Sequence, residues 1–178
     1  MNEPVASMQQ KTVSVSAEHA SFAGFWIRAA AFIIDCIIIS IPVGIISMPF
    51  VGYAAFKFMP YLDEYSYTQT VSSDMAAALF LCWGIALFLQ LLGAVIFWLY
   101  FAWFESSAKQ ATWGKQLFGL RVTDAYGQRL TFARATGRTF AKILSYMTLY
   151  IGFMMAGWTK QKRALHDVIA GTLVMKIR

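Results

Sequence analysis

Three side chains stand where the surrounding sequence argues against them: Arg28 and Asp35 inside the apolar run FWIRAAAFIIDCIIISI, from Phe25 to Ile41, and Asp167 in RALHDVIAG near the carboxyl end. A charge near the centre of a membrane helix costs about 2.5 to 3.5 kcal/mol on insertion scales, so each needs a physical reason to be there. A carboxylate that alternates between protonated and cation-bound states is the minimum equipment for exchanging a proton against a small cation. Asp35 lies roughly ten residues into the run, too deep for a short side chain to reach the interface, so it is protonated, paired or faces a watered cavity. Its other reading is a structural contact gluing helices together, worth about 0.6 to 2 kcal/mol.

On a helix, the seven-residue step from Arg28 to Asp35 is nearly two full turns, which puts both on one face about 10 Å apart, beyond direct contact. Each therefore needs help from another segment or from water. Arg28 is also near enough to the membrane boundary to snorkel. Asp167 is read either as a partner for Arg28 or the basic block, or as a carboxylate bonded to local backbone. His166 beside it titrates near neutral pH and could serve a proton path, or could simply be hydrogen-bonded. Gln90, the strongly polar interruption of a later apolar run, could offer a carbonyl to a cation or bond helix to helix.

These residues sit in a chain that is 58% hydrophobic and 13% charged over 178 residues, against roughly 45 to 50% and about 25% in soluble domains. The apolar excess is gathered into blocks, which argues for an all-α membrane protein with three hydrophobic segments, at about 25–49, 76–104 and 140–158. Pro42 lies inside the first. The second carries no ionisable side chain and is long enough to tilt. Residues 1–21 read as a disordered polar tail containing His19, and the first apolar run is too long for a signal sequence, so a retained span is expected.

Charge sets the orientation. Val51 to Met75, read as a loop, holds Lys57 against Asp63, Glu64 and Asp74, whereas the connection after the second block carries Lys109, Lys115, Arg121, Arg129, Arg134, Arg138 and Lys142 against Glu105 and Asp124. The positive-inside rule makes that connection and the amino terminus cytoplasmic, in an inner membrane. Within it, LRVTDAYGQRLTF alternates around a turn at Asp124 to Gly127, predicting a short basic hairpin at the membrane surface. The third block is a conflict: its length suits a span, while the cations after it ask to be cytoplasmic too. A single span is the expectation; a re-entrant hairpin turning near Gly152 is the alternative.

Several functions are excluded on motif grounds. Gly114-Lys115 lacks the GxxxxGK[ST] spacing and has Gln116 where a hydroxyl belongs, and no GxSxG or HExxH pattern is present. No enzyme activity, cofactor or metal is expected, and the net charge of +6 is placed beside apolar blocks, which points to anionic lipid headgroups and not to nucleic acid. Cys36 and Cys82 lie in apolar segments and read as reduced packing residues.

An arginine opening the first span, an aspartate seven residues on, the block TWGKQLFGLRVTDAYGQRLTFARATGR and the terminal RALHDVIAGTLV together resemble the RDD family of small membrane proteins. The family's named arginine and two aspartates fall on Arg28, Asp35 and Asp167, and Gly114, Lys115, Gly119, Arg121, Gly127 and Arg138 resemble its central block. The resemblance implies a multi-span helical protein, some of whose relatives have been proposed to exchange sodium or other monovalent cations for protons. The resulting expectation is cation–proton exchange at Asp35, modulated by Arg28, with Asp167 as second carboxylate and Gln90, His166, Lys115, Arg121 and Arg138 as secondary candidates. Three segments give one protomer few walls for an aqueous path, so a homo-oligomer or partner membrane protein is implied. The competing expectation is a non-transporting scaffold or accessory subunit whose charges set helix register.

Overall fold

The computed structural model describes residues 20–68 and 70–177; the expected tail, with His19, lies outside them apart from Ala20 and Ser21. Those two open a strand, β1 (Ala20–Phe22), which corrects the expected limit of the tail. The further elements are α1 (Phe25–Thr68), α2 (Ser73–Ser106), α3 (Trp113–Leu117), β2 (Leu120–Asp124), α4 (Phe132–Met147), α5 (Ile151–Trp158), α6 (Leu165–Ala170) and β3 (Thr172–Ile177). The chain divides into two compact units: residues up to Asp35 together with those from Trp98 onward, and residues Cys36–Phe97.

The second unit is helical on both sides of a short connection. Helix α1 runs 44 residues through Pro42, Pro49 and Pro60, and α2 runs 34 residues. At 1.5 Å per residue these are about 66 and 51 Å long, well beyond the roughly 30 Å hydrocarbon core. Both are long and apolar enough to cross a membrane. The expected loop at 51–75 is largely helix instead, because Ala54, Ala55, Met59, Leu62 and Glu64 are good helix formers. Large apolar side chains such as Ile45, Phe56, Phe80 and Trp83 point outward, as an acyl-chain solvent permits.

The first unit holds the sheet and the core. Three antiparallel strands pair in the order β1-β3-β2, with Phe22 opposite Met175 and Val122 opposite Val174. Ala23, Ala31, Leu120, Val122, Leu130 and Val174 form the apolar cluster beneath it. The expected basic hairpin is thus corrected: its first arm is β2 and its turn closes through Asp124 N–H donating to Gln128 O at 3.0 Å, but the ladder partner of β2 is the terminal strand. Alternation marks a strand without naming what it pairs with.

The expected single third span is not confirmed. Its residues fall in α4 and α5, which are bent by 101°. Leu149 and Tyr150, both in left-handed backbone, make the turn, and Gly152 lets α5 approach α4 so closely that a Cβ there would lie 2.9 Å from Ser145 Cα. A straight span would carry β3 to the opposite side of a bilayer from β1, its ladder partner. Helix α4 is amphipathic with an inverted face: Arg138, Thr139, Lys142 and Ser145 are buried, while Phe140, Ile143, Leu144 and Met147 are exposed.

Candidate functional site

The polar groups of the first unit collect into two buried clusters. In one, the fully buried Asp35 carboxylate accepts from neutral donors: Tyr100 OH at 2.7 Å and Gly114 N–H at 2.7 Å on Oδ1, and Thr112 Oγ1 at 2.6 Å on Oδ2. Position 114 must be glycine for this contact, since a Cβ would lie 2.2 Å from Ala31 O and 2.9 Å from Asp35 Oδ1. The α3 turn is thereby pressed onto the face of α1 that carries Asp35.

The other cluster is ionic. Arg138 lies between two carboxylates, giving Nη1 to Glu105 Oε2 at 2.6 Å and both Nε (2.9 Å) and Nη2 (2.7 Å) to Asp167 Oδ1. Arg28 Nη1 reaches Asp167 Oδ2 at 2.5 Å, while its remaining nitrogens donate to Ala23 O and Lys162 O at 2.9 and 2.6 Å. Lys115 donates to Glu105 Oε1. Asp167 also accepts from Ala164 N–H at 3.1 Å, which ties it to the start of its own short helix. Charge-assisted bonds of this kind are about twice as strong as neutral ones, and leaving one partner buried alone is expensive.

Burial alone would raise the Asp167 carboxyl, but Arg138 and Arg28 outweigh it and hold the group well below the usual carboxylate range. Burial lowers His166 to about 3, Asp167 opposing and Arg138 and Lys142 adding to the shift. The imidazole is therefore neutral at physiological pH, with Nδ1 3.3 Å from Ser145 Oγ and its ring 5.2 Å from that of Phe153.

The expected residues are thus partly brought together. Arg28, Asp167, Lys115 and Arg138 meet in one network, with His166 at its edge. Asp35 is held in the separate neutral cluster, so Arg28 serves Asp167. Gln90 is exposed in the second unit, and Arg121 is exposed on β2. Two members of the network were counted in the sequence merely as charges: Glu105, fully buried, and Lys142, whose Nζ lies 4.0 Å from Glu105 Oε1. The signal that points to them is Glu105 closing an apolar helix whose other charge is Asp74 in its first turn, and the four-residue step from Arg138 to Lys142 on one helix face. Among the described residues, no group of three or more His, Cys, Asp or Glu is placed to hold a metal.

Residues 22–171 match the RDD family, and this span takes in every member of both clusters. The chain belongs to the RDD family. It is 38% identical over 157 residues to "Uncharacterized protein YxaI" of Bacillus subtilis (strain 168), a match covering 86% of this chain and 96% of that relative. No solved structure matches. In this RDD protein the two aspartates of the name are fully buried, the arginine is half-buried, all three are hydrogen-bonded, and the two aspartates belong to different clusters.

Proposed function

We propose that this RDD membrane protein is a non-enzymatic, non-transporting scaffold or accessory subunit. In this reading two helices cross the inner membrane, the amino terminus is cytoplasmic, and the charge-tied unit presents its basic surface to anionic lipid headgroups or to a partner membrane protein. The observation that carries the reading is the state of the carboxylates: Asp35, Glu105 and Asp167 each have both oxygens taken by donors from other segments. Carboxylates so engaged tie segments together, and a cation could take one only in competition with the donors already bonded to it. Two crossings are supported by the sheet, which needs the flank before α1, the segment after α2 and the terminal strand on one side of the bilayer. The cytoplasmic side is supported by the positive-inside bias.

Cation–proton exchange is the reading that the family resemblance raises. A cation at Asp35 would compete with Thr112, Tyr100 and Gly114, and each buried donor it displaced would be stranded at about 1 to 3 kcal/mol. Reconstitution into vesicles with an imposed pH gradient separates the two. The scaffold predicts that wild-type protein leaves the gradient intact on addition of sodium, potassium or lithium, and that Asp35→Asn loses assembly. Dissipation by wild type, abolished by Asp35→Asn in protein that still inserts, would establish exchange in its place.

A further inference from the structure

The first unit contains a cavity of about 210 Å³. Its walls are mainly aromatic and aliphatic, with Phe25 and Phe32 of α1, Phe101 of α2 and Phe153 of α5 among them, and the cations Arg28, Lys115, Arg138 and Lys142 also line it. Three of those cations are bonded to carboxylates. Lys142 is held more loosely: its buried Nζ makes only a long ion pair, 4.0 Å from Glu105 Oε1, has no hydrogen-bond partner among the described residues, and lies 3.8 Å from the centre of the Phe101 ring. A ring face offsets part of the cost of an ammonium taken from water and supplies no acceptor.

The balance of charge leads the same way. Arg28, Lys115, Arg138 and Lys142 face Glu105 and Asp167, and even with Asp35 included the four cations meet three carboxylates. Burial lowers the Lys142 ammonium to about 7, so an anion beside it would be what holds it charged, and the walls that surround it favour an apolar body.

We propose that this cavity binds a single-chain anionic amphiphile, its carboxylate or phosphate seated on Lys142 and its acyl chain against Phe32, Phe101 and Phe153. The inference goes beyond the scaffold reading and stands whether or not the protein moves ions, because it rests on the cavity and on a buried lysine without a hydrogen-bond partner among the described residues. Both head chemistries supply the acceptor oxygens that Lys142 lacks. Their sources differ: a free fatty acid in one case, a lysophospholipid in the other.

Purified full-length protein in phosphatidylcholine nanodiscs, titrated with oleate, oleoyl lysophosphatidate or methyl oleate, tests this. Saturable binding of one molecule per chain is expected for oleate, for the lysophosphatidate or for both, and this distinguishes the source; methyl oleate, with the same chain and no charge, binds at least tenfold more weakly. Lys142→Met keeps the apolar reach without the ammonium and lowers affinity at least tenfold. Should that variant fail to fold, a photoactivatable fatty acid used with wild-type protein is expected to label peptides containing Phe101 or Phe153. Equal binding of methyl oleate, unchanged affinity in folded Lys142→Met, absence of saturable binding by either anion, or labelling confined to other segments overturns the proposal.

Discussion

The two units of this protein are specified in opposite ways. In Cys36–Phe97 the recorded side-chain hydrogen bonds are mostly local returns to the same helix, such as Ser40 to Ile37 O and Ser47 to Gly44 O, and large apolar side chains face outward. In the other unit the bonds cross long stretches of sequence: Arg28 to Asp167 spans 139 residues and Asp35 to Gly114 spans 79. Hydropathy is enough to make a helix that lipid will accept, because the backbone satisfies itself. It says little about which segments meet, and here that is decided by a few buried ionic and polar bonds. Sensitivity to substitution should therefore divide sharply between the units.

The largest effect is expected at Arg138, which bonds both Glu105 and Asp167. Arg138→Met leaves two buried carboxylates short of partners and should destabilise the protein by about 3 to 5 kcal/mol. Thermal unfolding in detergent, followed by near-ultraviolet circular dichroism, should show the aromatic packing lost at much lower temperature. Arg138→Lys should recover little, since one ammonium cannot repeat a planar guanidinium bonded to two carboxylates. A melting profile unchanged by Arg138→Met would mean that the charge network does not hold the fold, and the contrast between units would fail.

Much of the division is legible in the sequence, for reasons that also explain what is not. Phe25 onward and Ala76 onward are apolar on every side, so two long helices follow from composition. The placement of Arg28, Asp35 and Asp167 in apolar surroundings marks them as partnered, because an unpaired charge there is too costly. Glu105 and Lys142 were obscured because counting charges to assign a membrane side treats each as solvated, while both are buried. Gly152 marked where the third block could turn, but the break falls just before it at Leu149 and Tyr150, where positive φ is imposed by the packing of α5 onto α4. The apolar stripe of α4 would ordinarily be assigned to a core. Here it faces out and the polar stripe faces in, as suits a helix lying at a lipid boundary.

Acidity should sharpen the comparison at intermediate size. His166 is depressed from 6.5 to about 3 in the fold, so an unfolded chain binds a proton that the native chain refuses. The native state is therefore favoured above pH 6.5 and loses stability as the pH falls from there toward 3. At pH 5 the loss from this group is on the order of 2 kcal/mol. Asp167, also depressed, has the same sign and adds its loss below the ordinary carboxylate range, near 3.8. His166→Phe should flatten the first part of the profile, and equilibrium unfolding at pH 7 and pH 5 is the check. The second unit contributes no histidine among the described residues, so equal weakening of both units by mild acid would argue against this assignment.

The smallest effect belongs to Gln90, whose polar side chain in an apolar run once looked fit for a cation or a helix contact. It is exposed on α2, inside the unit where bonds are local. Leucine there exchanges an amide for an apolar side chain on a surface that lipid covers, and a position without tertiary partners usually tolerates substitution within about 0.5 kcal/mol. Gln90→Leu should leave unfolding and oligomeric state in detergent unchanged or slightly favour the protein. A loss above about 2 kcal/mol, or dissociation of an oligomer, would place Gln90 in a contact between chains, since such polar bonds are worth up to about that much in membranes. The outward face of the second unit would then be specified by more than hydropathy, which makes this mild substitution the finer probe of where the division between the units lies.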